Sequence, residues 1–118
     1  MKLKLSLKRA YEPADSQDGE RILVERLWPR GLAKEEAQLD GWLKEIAPSA
    51  ELRKWYGHVV ERWPEFQKRY DAELRAPEKQ AALQDLITRA RKGRVTLIYA
   101  AKDTEHNSAV ALKAFLER

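Results

Sequence analysis

Two polar stretches that follow apolar runs carry the side chains best suited to chemistry. The first contains Arg26, Trp28, Arg30 and Lys34, three cations and an indole within nine residues. Guanidinium groups bind phosphate or carboxylate bidentately, and an indole face can stack on a planar group. This stretch predicts binding of a small anionic ligand, such as a nucleotide or another phosphorylated metabolite. In the alternative, structural interpretation, Arg26 pairs with a buried carboxylate, Trp28 fills the core and the remaining cations are solvated.

The second polar stretch contains Tyr99, Lys102, Asp103, His106 and Asn107, between an apolar run and a predicted helix. Backbone N–H groups at a helix start attract anions. His106 could act as a general acid or base, with Asp103 as an orienting or basic carboxylate. The alternative is that the polar residues cap the helix and that the histidine only packs against its neighbours.

A second histidine, His58, follows a predicted helix end and has Trp55 close by in the sequence. We expect this pair to close one side of the site, with His58 as the other candidate acid or base. The chain has no cysteine, and neither the HExxH nor the EF-hand spacing occurs, so no metal site is predicted. Glycine-rich phosphate loops, the dinucleotide signature and the Gly-x-Ser-x-Gly motif are also absent, so no cofactor is predicted.

Length and composition predict one domain over residues 1–118 in a reducing compartment. A chain of 118 residues fits one core, and the lack of cysteine excludes disulfides and thiolate chemistry. No apolar run approaches the roughly 20 residues needed to span a membrane, which predicts a cytoplasmic protein without a membrane partner. The net charge of +4 permits anionic partners without requiring them.

The elements that must position these side chains predict an α/β fold. Alternation of Leu3, Leu5 and Leu7 with polar residues predicts a first strand, and the apolar runs 22–28 and 95–100 predict two buried strands. Apolar spacing and capping residues predict five or six helices: a turn or two over 34–39, a segment with Trp42, Leu43 and Ile46 on one face, a helix from Ser49 to Tyr56, and helices over 63–74, 83–92 and 109–116, the last capped by Asn107 or Thr104.

The order of these elements predicts a single compact domain with a small, mainly parallel sheet of about three strands. Ligands bind beyond the carboxyl ends of strands in such sheets. The two polar stretches should therefore meet in one pocket, lined by Arg26, Arg30, Lys102, Asp103, His106 and Asn107 and closed on one side by His58 and Trp55.

Two other function classes stay open. The basic residues Arg89, Arg91, Lys92 and Arg94, together with exposed aromatic side chains, could form a nucleic-acid-binding module. A basic helix end is more often a complement to the helix dipole. The third class is a non-catalytic protein-interaction domain in which the polar motifs are structural.

Four segments together resemble the YeaO-like family, small bacterial proteins within the domain-of-unknown-function 488 family. The resemblance rests on RILVERLWPRG (21–31), WLKEIAPS (42–49), LRKWYGH (52–58) and TLIYAAKD (96–103) followed by His106-Asn107, and it covers nearly the whole chain in order. It implies a compact α/β domain without an established activity, in which many shared positions are polar. Longer relatives carry a Cys near the Tyr99 position and a Cys-His-Arg run near His106. This chain has neither, so no cysteine chemistry carries over.

Overall fold

A four-stranded parallel sheet organises the protein. The structure, a computed structural model, describes residues 3–118. Its strand order is β1-β4-β2-β3, and every neighbouring pair is parallel. The α/β class and the small parallel sheet predicted from the sequence are confirmed, with four strands in place of about three. The strands are β1 (Leu5–Arg9), β2 (Glu20–Leu23), β3 (Gly41–Trp42) and β4 (Val95–Tyr99).

The fourth strand is β3, and sequence periodicity could not reveal it. Trp42 was predicted on a helical face, but it pairs with Leu23 of β2. A strand of two residues has no period, and its partner lies about twenty residues away in the chain. The second strand is also shorter than predicted. It ends at Leu23, and the apolar run beyond it leaves the sheet, so Trp28 belongs to a loop.

In the described part of the chain, five α-helices connect and cover the strands, within the predicted five or six. They are α1 (Lys34–Ala37), α2 (Ala50–Tyr56), α3 (Trp63–Leu74), α4 (Gln80–Lys92) and α5 (Ser108–Leu116). Their ends follow local sequence signals. The Ser49 hydroxyl accepts a hydrogen bond from the Leu52 N–H at 3.1 Å, and α2 ends at Gly57, whose φ is +52°. Asn107 caps α5 in the same way.

The two faces of the sheet are covered differently. Helices α2 to α5 pack on one face, where they bury the main core around Ile22 and Leu97. The other face has a smaller apolar cluster around Leu23 and Ile98, covered by Trp28 and other side chains of the loops beside it. None of the helices in residues 3–118 is long and apolar enough to cross a membrane.

A buried ion network occupies the polar part of that second face. The Asp18 carboxylate lies 2.9 Å from the Lys8 ammonium and 2.6 Å from Nη1 of Arg21. The Arg21 side chain is only 4% exposed, and its Nε donates to the Ala37 carbonyl. Burial raises the pKa of Asp18, but hydrogen bonds from Lys8, the Asp15 N–H and Arg21 outweigh burial and hold the pKa below its usual value. This network fastens the loop before β2 to the sheet.

Candidate functional site

The carboxyl edge, by which we mean the end of the sheet where β1, β2 and β4 finish, is held together by two charged side chains. Glu25, just after β2, accepts a hydrogen bond from the Ala100 N–H at 3.1 Å. The Arg9 guanidinium, at the end of β1, donates to the carbonyls of Ala100 at 3.1 Å and Ala101 at 2.9 Å. The two polar stretches therefore meet at this edge through Glu25. Neither Glu25 nor Arg9 was among the predicted site residues, although a carboxylate inside an apolar run was a signal for Glu25.

Arg26 has a partly buried guanidinium without a carboxylate partner. Its Nη2 donates to the Pro48 carbonyl at 3.3 Å, a long and neutral contact. Its Nε is buried and has no hydrogen-bond partner. Arg26 forms no salt bridge with any carboxylate of residues 3–118, in contrast to Arg21 on the same strand-loop segment. The buried carboxylate expected in the structural interpretation is therefore not found.

Asp103 and His106 form an oriented pair beside the start of α5. The Asp103 carboxylate accepts hydrogen bonds from the N–H groups of Glu105 at 2.9 Å and His106 at 3.0 Å, and its Oδ2 lies 3.0 Å from Nδ1 of the imidazole. Hydrogen bonding from the Glu105 N–H, followed by that from His106, lowers the pKa of the Asp103 carboxyl. The contact with Asp103 uses Nδ1 of His106 and not Nε2, and the side chain is 27% exposed. A general acid or base needs one ring nitrogen that is not held by such a contact.

Two aromatic side chains contact His106 of this pair. The Trp63 ring meets the His106 ring edge to face at 5.4 Å. The Tyr56 hydroxyl donates to the His106 carbonyl at 3.3 Å. Burial, with a smaller contribution from the Asp103 charge, raises the pKa of Tyr56, so this hydroxyl stays protonated and can keep donating. Tyr56 and Trp63 thus position His106, and neither was among the predicted site residues.

Two predicted ligand-binding residues have structural contacts that occupy them. The Asn107 side chain is buried, and it accepts from the Val110 N–H at 3.0 Å while donating to the Asp103 carbonyl at 2.9 Å. Tyr99 is buried in the main core at the end of β4, where burial is the first cause that raises its pKa. Both residues shape the loop that carries Asp103 and His106.

Trp28 and Trp55 are also engaged with their own chain. The Trp28 indole donates to the Leu32 carbonyl at 2.6 Å and meets the Trp42 ring edge to face at 5.6 Å. The Trp55 ring is covered by the Arg69 guanidinium at 4.1 Å and the Arg62 guanidinium at 5.4 Å. Stacking of a ligand on Trp55 would have to displace these cations.

The remaining predicted residues are exposed. His58 has a left-handed backbone with φ +58°, and its ring lies 6.1 Å from that of Tyr56. Lys102, Arg30 and Lys34 are exposed and form no salt bridge within the described part of the chain. In residues 3–118 no three His, Asp or Glu side chains are grouped closely enough to hold a metal ion.

The predicted pocket residues fall into two groups at the carboxyl edge. Arg26 contacts Pro48, just before α2 begins, whereas His106 contacts Tyr56, the last residue of that helix. The two residues therefore contact segments at opposite ends of α2.

Two of the four basic residues predicted as a nucleic-acid-binding cluster form contacts within the protein. Nε of Arg89 lies 2.9 Å from the Asp85 carboxylate, and its Nη1 pairs with Glu20. Arg94 donates to the Ser6 hydroxyl. Arg91 and Lys92 are the members that stay exposed without a salt bridge in residues 3–118.

Comparison with known proteins places the chain in a family. The family model described as the inactive DUF488-N3 subclade matches residues 4–118. Among similar proteins, the uncharacterised protein YeaO of Escherichia coli K12 is 45% identical over 115 residues, which cover 97% of each chain. The uncharacterised protein Rv3073c of Mycobacterium tuberculosis H37Rv is 40% identical over 108 residues, which cover 92% of this chain and 89% of the relative. No solved structure matches. The chain therefore belongs to the DUF488 family, in the group described as its inactive N3 subclade.

Proposed function

We propose that this protein binds a small anionic ligand, a nucleotide or another phosphorylated metabolite, at the carboxyl edge of its sheet without transforming it. Arg26 is the group that holds the anion. The observation that supports this proposal is the state of the Arg26 guanidinium, whose Nε is buried without a partner and whose one hydrogen bond is a 3.3 Å contact with the Pro48 carbonyl.

An unsatisfied buried donor is costly, and the guanidinium to which it belongs has no counter-charge in residues 3–118. A buried N–H without a partner costs about 1–3 kcal/mol, and a guanidinium stays charged at any relevant pH. The Pro48 carbonyl offers a dipole but no counter-charge. A phosphate or carboxylate group that meets the accessible part of the guanidinium offers the missing counter-charge, through the charge-assisted hydrogen bonds that guanidinium groups favour.

The carboxylates that follow these strands do not compete for Arg26, because backbone N–H groups hold them. Glu25 accepts from Ala100, and Asp103 accepts from Glu105 and His106. Glu12, after β1, accepts from the Arg9 N–H at 3.0 Å. The exposed cation Lys102 at the same edge adds long-range attraction for an anion, which salt would screen.

The family and the composition favour binding over catalysis. The matching family model is described as inactive. The chain also has no cysteine, whereas the longer relatives it resembles carry cysteines near the positions of Tyr99 and His106.

Calorimetric titration with AMP, ribose 5-phosphate and inorganic phosphate tests the proposal. We expect at least one of them to bind the natural protein, and Arg26→Met to weaken that binding by about tenfold or more because a charge-assisted bidentate contact is lost. Arg91→Met removes one exposed cation from α4 and serves as the matched control, since it lowers the net charge equally and should leave affinity unchanged. If Arg26→Met binds as well as Arg91→Met does, Arg26 is not the anion site.

Acid–base catalysis is the second candidate function, and the Asp103–His106 pair is the observation that favours it. Nδ1 of His106 is fixed on Asp103, so Nε2 could transfer a proton during hydrolysis or group transfer at a phosphorylated or glycosidic centre. His58 is the other candidate proton-transfer group. Phosphorus NMR of the same compounds, incubated with natural protein and with His106→Gln, separates the two functions. Product formed only by the natural protein supports catalysis, whereas unchanged spectra support binding alone.

A further inference from the structure

A separate cavity of about 280 Å³ lies between α4 and the end of α5. Its floor is apolar and consists of Leu83 and Ile87 from α4 with Phe115 and Leu116 from α5. Leu83 is buried, whereas the other three side chains are half-buried and so face solvent in part. No residue predicted for the carboxyl edge lines this cavity.

The rim of the cavity carries one positive charge and no negative charge. Arg75, just after α3, lines the rim and is exposed. Its guanidinium forms no salt bridge within residues 3–118. The other polar lining residues, Gln80 and Gln84, are neutral, and the Gln80 amide nitrogen already donates to the carbonyls of Leu74 and Ala76.

We propose that this cavity binds an amphipathic carboxylate, with its apolar tail between α4 and α5 and its carboxylate on Arg75. Burial of a hydrocarbon tail removes the half-buried floor from water, and a guanidinium binds a carboxylate bidentately. A phosphorylated sugar would leave the apolar floor unfilled, and a neutral apolar compound would gain nothing from Arg75.

The size of the cavity limits the occupant to a chain of medium length. Pockets that enclose drug-sized ligands begin at roughly 300 Å³, so 280 Å³ is at the lower end of that range. Octanoate is therefore a suitable probe, with butyrate as the short acid and octanol as the uncharged chain of equal length.

NMR titration of the isotopically labelled full chain tests the proposal. We expect saturable octanoate binding, with shifts of backbone amides in the first two turns of α4. Affinity should fall by about threefold to fourfold for each methylene removed. Octanol should bind about tenfold more weakly than octanoate, because it lacks the charge-assisted contact. Equal binding of octanol and octanoate, absence of saturable octanoate binding, or shifts confined to the carboxyl edge would overturn the proposal.

Two variants test which residues hold the carboxylate and which hold the hydrocarbon tail of octanoate. Arg75→Gln should reduce octanoate affinity to that of octanol, whereas Arg91→Gln, an equal charge change on exposed α4 surface, should leave it unchanged. Ile87→Trp should fill the cavity and abolish binding of both probes, with Lys92→Trp on the same helix as control. If Ile87→Trp does not fold, the octanoate affinity of Arg75→Gln by itself tests the proposal. Octanoate affinity that survives Arg75→Gln contradicts the proposed head-group site.

Discussion

Replacement of Asp18 by asparagine should strongly destabilise this protein, because Asp18 is the carboxylate of its buried ion network. Asp18→Asn keeps the volume of the side chain but removes the negative charge shared by Lys8 and Arg21. Breaking a buried ion pair by removing one partner costs about 3–5 kcal/mol, because the other charge stays buried without compensation.

The exposure of the two cations indicates a loss of stability at the lower end of that range. The Lys8 side chain is 19% exposed and can turn toward water, whereas Arg21 is 4% exposed and cannot. One uncompensated cation therefore stays buried, and we expect a loss of about 3 kcal/mol. For a domain of this size, that corresponds to a fall in Tm of about 12 °C.

Urea unfolding at neutral pH, followed by tryptophan fluorescence, measures this loss. Asp85→Asn is the matched control, because it breaks a more accessible pair, with side chains 43% and 32% exposed, and leaves Arg89 paired with Glu20, so it should cost under about 0.5 kcal/mol. A loss below about 1 kcal/mol in Asp18→Asn would show that the network contributes little. It would also refute the assignment of its energy to Asp18.

The same network gives a pH test with a defined sign. The folded-state pKa of Asp18 is lowered from its usual 3.8, so its stabilising contribution is complete above that value and is lost as the pH falls toward the folded pKa. Acid unfolding of the natural protein below about pH 4 should therefore be steeper than that of Asp18→Asn. Parallel acid transitions in the two proteins would contradict the lowered pKa.

Three other substitutions test particular contacts. Arg26→Met should not lower the free energy of unfolding without ligand, and should raise it by up to about 1 kcal/mol, because an unsatisfied buried donor is removed; a clear loss in urea would mean that Arg26 has a structural partner. Ser49→Ala should lower the free energy of unfolding by about 1–2 kcal/mol, measured by thermal unfolding, because it removes the cap of α2. It also leaves the Glu73 carboxylate without its hydroxyl partner at 2.6 Å. Ser49→Thr should restore most of that stability. Gly19→Ala should prevent folding or destabilise the protein severely, because φ is +67° and the added Cβ would clash with the Arg94 carbonyl. Gly93→Ala should be tolerated, because there is open space around that position. Circular dichroism of the two variants measures the difference.

The helices were predictable because their signals are local. The cap at Ser49, the glycine that ends α2 and the Asn107 cap act within four residues of the helix ends they define. The apolar face of α3 repeats with the helical period, so the sequence shows it directly. The strand boundaries were harder to predict. The β3 strand exists only because β2 passes beside it, and no feature within two residues can encode that pairing.

The meeting of the two polar stretches was predictable from topology, but their detailed arrangement was not. Parallel strands bring their carboxyl ends to one edge, and Glu25 joins the two stretches there. Arg26 and His106 contact segments at opposite ends of α2, and Tyr56 and Trp63 lie beside His106 although they are distant from it in the chain. These contacts depend on how helices pack on the sheet, and residue types alone do not fix them.

Arg21 and Arg26 show which properties the sequence determines and which depend on the tertiary structure. Residue types alone determined that the chain has no thiolate chemistry and that Arg21 and Arg26 carry permanent charge five positions apart. Folding gave Arg21 a carboxylate that it shares with Lys8, and it gave Arg26 only the carbonyl of Pro48. The physical reason is that the energy of a buried charge is set by the partners which the fold brings to it, and those partners come from other segments of the chain.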